Sequence, residues 1–72
     1  MKVNNRVRWH SAMGVLEGTV KRVDIAKNAT GHLIPWFIIG DMIHTLNPKR
    51  FSKDHTTRLP ETMLAALKVE VI

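Results

Sequence analysis

The chain has 72 residues, room for one domain that removes only about 60–65% of its unfolded surface from water, so the core is thin and a second lobe is excluded. It has no cysteine, which rules out disulfide staples and thiolate zinc sites, and no apolar run as long as a membrane span or signal-peptide core, so a soluble cytoplasmic domain over residues 1–72 with no membrane partner is expected. Eleven Lys and Arg against six Asp and Glu leave a formal charge of +5, a surplus that attracts polyanions and makes DNA or RNA the first partner to consider, with solubility alone as the competing use.

Residues 3–10 read as a first strand, because Val3, Val7 and Trp9 alternate with Arg6, Arg8 and His10 at the period of a half-buried strand. A second strand spans about residues 15–25. Its apolar phase slips by one, from Leu16, Gly18 and Val20 to Val23 and Ile25, which predicts a β-bulge or sharp bend near Lys21 and Arg22. Residues 26–31 carry the Asn and Gly of a hairpin loop. The third strand, over residues 33–39, is apolar at both parities, so one face fills the core and the other must be covered or left bare. Pro35 places that strand at an edge or puts the proline near its start. Gly40 and Asp41 suggest a tight turn into a fourth strand over residues 42–46.

Residues 47–58 are polar and basic and read as a loop, with a short paired stretch at its far end. Pro60 pre-sets a helical first turn, Glu61 suits its positive end, and Met63, Leu64 and Leu67 follow at helical spacing. Leu59 caps poorly, so this turn is expected to be short and partly 3₁₀. Residues 68–72 alternate again and are expected to pair with the first strand. The fold class is therefore mainly β, a five-stranded SH3-like antiparallel barrel with a short helical turn before the last strand.

The opening Val7-Arg8-Trp9, the turn at Gly14 and the strand Gly18-Thr19-Val20 resemble the SH3-like group of small barrels, in particular Tudor-like and KOW-like domains, over the first half of the chain. The nearest likeness is to the bacterial Tudor-like domains linked to hypervirulence-associated proteins. The same residues resemble the plasmid-borne type II dihydrofolate reductases. That family's site needs a Val-Gln-Ile-Tyr strand, however, and this chain has neither tyrosine nor glutamine, so the activity is set aside. The Tudor-like resemblance implies an aromatic cage for methylated lysine or arginine, for which Trp9, Trp36, Phe37 and Phe51 supply rings. The chain's own positive charge opposes a basic peptide, and a thin core claims Trp9 and one of Trp36 or Phe37 for packing.

Ingredients for catalysis are thin, and neither enzymatic activity nor a cofactor is expected. His10, His32, His44 and His55 lack paired ligand spacing, so no metal is expected, and the six carboxylates are spread singly along the chain. The better candidate is the basic segment, where Lys49, Arg50, Lys53 and Arg58 suit phosphate contact, with Arg6 and Arg8 extending the patch if the fold brings them near. Phe51 is expected to tuck back onto the core. The competing reading is a protein-interaction module that self-associates as a homodimer through Ile34, Trp36 and Ile38 on the two-sided apolar strand.

Overall fold

In the computed structural model, which describes residues 1–72, five strands form one antiparallel sheet. They are β1 (Arg6–Ser11), β2 (Gly14–Lys27), β3 (Leu33–His44), β4 (Thr57–Pro60) and β5 (Glu70–Val71), arranged in the order β4-β3-β2-β1-β5. The mainly β architecture expected from the alternation is thus present, with β5 paired on β1 through Val7 with Val71 and Arg8 with Glu70. The edge strands β4 and β5 do not pair with each other, so hydrogen bonds do not close the sheet into a barrel. Residues 61–69 link the two edges instead. They place Leu64, Leu67 and Val69 against the core, and the Leu67 carbonyl accepts the His10 N–H at 2.8 Å.

The core lies on one side of the sheet. Val7 and Trp9 of β1, Leu16 and Val20 of β2, Phe37, Ile39 and Met42 of β3 and Leu59 of β4 form one buried cluster. Burial of each large apolar side chain contributes roughly 1.5–3 kcal/mol, so these eight carry most of the stability available to so small a chain. Trp9 and Phe37 take the core positions and Trp36 the outer face, which settles the choice between the two neighbouring rings.

Two bulges shape the β2–β3 pair. Val20 faces Ile39 and Arg22 faces Ile38, so Lys21 is the extra residue, where the phase slip in the sequence put it. A second irregularity falls between Glu17 and Thr19, whose partners Ile43 and Gly40 lie three positions apart. Asp41 sits in this excess at φ 47°. Gly40 and Asp41 therefore do not turn the chain into a new strand: they bulge within β3, which continues to His44 and absorbs the expected fourth strand. A bulge and a tight turn both favour Gly and Asp, so composition does not separate them.

The first strand is also shorter than its alternation suggests. Asn4 adopts φ 75°, the Asn5 N–H bonds the Lys2 carbonyl at 3.0 Å, and the Asn5 side-chain oxygen accepts the Lys2 N–H at 2.8 Å. This local turn leaves Val3 exposed instead of on the core face. β2 is longer than expected, starting at Gly14, whose φ of 119° follows a two-residue connection from Ser11. The helical turn is a 3₁₀ segment, Glu61–Met63, with Pro60 at its N-cap and no capping side chain.

The chain leaves this turn by a recognisable stop. The Val69 N–H bonds the Leu64 carbonyl at 3.0 Å, the Lys68 N–H bonds the Ala65 carbonyl at 3.2 Å, and Lys68 takes φ 53°. This double bond with a left-handed residue is the Schellman arrangement, in which glycine normally occupies the position of Lys68. A β-carbon there opposes the left-handed backbone, so Lys68→Gly should raise stability by about 1 kcal/mol in urea unfolding. A lower midpoint for the variant would contradict this account.

Candidate nucleic-acid interface

Residues 45–56 connect β3 to β4 and are held at both ends by local bonds. His44 is buried, with its Nε2 donating to the Met13 carbonyl at 2.6 Å and its Nδ1 accepting the Leu46 N–H at 3.2 Å. Those two bonds fix one tautomer of the neutral ring. Asn47 N–H to the His44 carbonyl and Arg50 N–H to the Asn47 carbonyl, both 3.0 Å, then wind the segment into successive turns. Phe51 is half-buried against the core and stacks on His55, ring centroids 4.8 Å apart, which is the packing role expected for it.

With Phe51 turned inward, Lys49, Arg50 and Lys53 on either side of it stand in solvent. None of the three has a carboxylate within ion-pair distance. Arg58 belongs to β4, not to the loop, and its guanidinium lies over the Trp36 ring at 4.6 Å from the centroid. It too lacks an acidic partner.

Arg6 and Arg8 have a different environment on the outer face of β1. Arg6 donates to the Thr19 hydroxyl at 3.1 Å and to the Asp41 carbonyl at 2.8 Å. Arg8 bridges Glu17 at 3.2 Å and Glu70 at 3.7 Å, tying β2 and β5 to β1. Nearby, Lys21 pairs with Asp41 and Arg22 with Asp24. The hydrogen bond and charge of Lys21 hold the Asp41 carboxyl below the ordinary aspartate range. Four of the six carboxylates are thus engaged by Arg8, Lys21 and Arg22 on the strands. Those three cations are offset within the sheet, whereas residues 49–58 set four cations against Asp54 alone.

Ile34, Trp36 and Ile38 do share one face of β3, opposite the core. Ile38 is only 6% exposed because Arg22 and Arg58 flank it in register, and Trp36 lies between Arg58 above and Pro60 opposite. Part of the second apolar face is therefore sealed within the chain by β4. This strand is the short paired stretch expected at the far end of residues 47–58, and it runs on through Leu59, which is 6% exposed in the core and not a helix cap. The larger exposed apolar surface lies elsewhere, at Val23, Ile25 and Leu33 on the protruding end of the β2–β3 hairpin. Their parity marks the core side of the sheet, but the hairpin runs on past the core.

His10, His32, His44 and His55 lie in four separate settings, and no three potential ligand side chains gather around a common point. No helix is long and apolar enough to cross a membrane. No protein family, curated protein or solved structure matches the chain.

Proposed function

We propose that this is a small SH3-like module of the Tudor-like and KOW-like kind that binds nucleic acid in the cytoplasm without catalysing a reaction, using Lys49, Arg50, Lys53 and Arg58 as phosphate contacts. The observation that carries this reading is the distribution of charge. Arg8, Lys21 and Arg22 on the sheet meet carboxylates, whereas these four gather within residues 49–58 with no ion pair and Asp54 as the one acidic side chain among them. Arg6 and Arg8 are engaged inside the sheet and serve it structurally. Contact with phosphates alone confers little sequence preference, so DNA and RNA of any sequence are candidate ligands. Arg58 stacked on Trp36 adds a flat cationic surface on which an unpaired base can stack.

Fluorescence anisotropy with short labelled single-stranded and duplex oligonucleotides tests the reading. Three to four phosphate contacts give a log–log salt slope of magnitude roughly 2–4. Combined reversal of Lys49, Arg50 and Lys53 to glutamate should abolish binding, whereas Arg8→Gln should leave it within about two-fold of the starting protein. Absence of binding at low salt, or binding indifferent to the reversal, overturns the assignment.

A further inference from the structure

The hairpin of β2 and β3 projects beyond the core, giving the molecule a long axis of 38 Å against 22 and 20 Å across. On this projection β2 has β3 on one side and nothing on the other. β1 pairs only as far as Thr19, and the chain before it occupies the edge at Val20, where Asn4 N–H bonds the Val20 carbonyl at 2.7 Å and Val20 N–H bonds the Asn5 carbonyl at 2.9 Å. From Arg22 to the end of β2 the edge is free.

Backbone alternation decides which groups face outward. The Asn28 N–H bonds the His32 carbonyl at 2.8 Å, so counting back along the ladder the pairs 26/34, 24/36 and 22/38 exchange hydrogen bonds, and 27/33, 25/35 and 23/37 do not. Pro35 fits this phase, since opposite Ile25 no donor is required of it. Val23, Ile25 and Lys27 consequently turn their N–H and C=O groups away from β3, towards open solvent. On the same three residues the core-side face carries exposed Val23 and Ile25, with Leu33 beside them on β3 at 66% exposure.

We propose that this edge pairs with the same edge of a second copy of this chain, antiparallel about a two-fold axis through Ile25, joining two sheets into one. A two-fold normal to the sheet keeps each face on its own side, and the charges and bonds then select the register. Centring on Val23 drives the partner's Lys27 to position 19, where Arg6 of β1 already pairs. Centring on Asp24 sets Asp24 against its own copy, and centring on Ala26 leaves only Ile25 and Lys27 bonded. Centred on Ile25, the register pairs Val23 with Lys27, Ile25 with itself and Lys27 with Val23, about six main-chain hydrogen bonds, and opposes no two like charges. Each Asp24 then lies opposite an alanine and keeps its own Arg22 at 3.0 Å. Val23, Ile25 and Leu33 of both copies merge into one apolar strip.

Edge strands are usually protected against such pairing by lysine, proline or a bulge. Here the bulge at Lys21 and the turn at Asn28 bound the open stretch and fix its length. The assignment is independent of the nucleic-acid reading, whose cations lie on another part of the chain.

The absence of native cysteine permits a register-specific test. In Ile25→Cys the two thiols face each other across a hydrogen-bonded pair with α-carbons about 5.5 Å apart, within disulfide range. Under mild oxidation this variant should cross-link about ten-fold faster or more than Asp24→Cys and Ala29→Cys, which point away from or lie beyond the axis. The unmodified chain should give twice its 8.2 kDa mass by light scattering after size exclusion, and Ile25→Lys should return it to one with its circular dichroism unchanged. A single-chain mass at sub-millimolar concentration, which would leave the edge to a strand from a different protein, overturns the proposal. Cross-linking equally fast at all three positions does so as well.

Discussion

Replacing Trp9 by alanine is expected to cost about 3–5 kcal/mol, enough to leave much of a domain this small unfolded at room temperature. The indole is 2% exposed on the inner face of β1, in the same cluster as Leu16, its β2 partner. Truncation removes a large apolar surface and opens a cavity at the centre of a core of only eight side chains. Relaxation cannot fill it cheaply, because the surrounding residues sit on paired strands whose register holds their α-carbons. Trp36 offers the contrast. It is half-buried on the outer face, and Trp36→Ala removes part of its contact area and the Arg58 interaction, so about 1–2 kcal/mol is expected. Urea unfolding of both variants decides the matter: a loss below 1 kcal/mol at Trp9, or equal losses at the two sites, would show that the core is not where we place it.

Gly18→Ala is expected to destabilise by about 1–3 kcal/mol although it adds a single methyl group. A β-carbon built on Gly18 collides with Ile39 Cγ2 and comes 3.1 Å from the Gly40 carbonyl oxygen. Ile39 is fully buried and branched at its β-carbon, so Cγ2 cannot swing aside without moving the strand. Ile39→Leu removes that methyl group while keeping the side-chain volume. In the double variant the cost of Gly18→Ala should therefore shrink, giving a non-additive cycle. Strict additivity would show that the penalty comes from the backbone and not from this contact.

Period-two patterning in β1, the phase slip at Lys21 and the two-sided apolar run of β3 were legible because each follows from side chains alternating across a sheet. The Tudor-like resemblance rested on the same opening strands. Less was legible where one residue chemistry serves two geometries. Gly40 and Asp41 suit a turn as well as a bulge, and only the pairing of Gly40 with Thr19 separates them. Leu59, between a polar loop and Pro60, has no alternating neighbours to mark it as strand, and its burial depends on Phe37 far away in the chain. The cations of the candidate interface could be named from the sequence, but which of them were free could not. Arg8 and Lys49 look alike until Glu17 and Glu70 are found beside one of them.

The two-residue strand β5 also has a consequence for how the molecule assembles. β1, β2 and β3 are joined by short connections, so their pairings close small loops and form in microseconds. β5 must instead bring residue 71 to residue 7, across almost the whole chain, for two exposed residues and the Ile72 N–H bond to the Arg6 carbonyl at 2.9 Å. So large a loop closed for so little burial cannot nucleate folding. The meander is expected to form first, residues 61–69 to dock on it and β5 to zip on last; hydrogen exchange should then show the β5 amides exchanging with solvent without global unfolding.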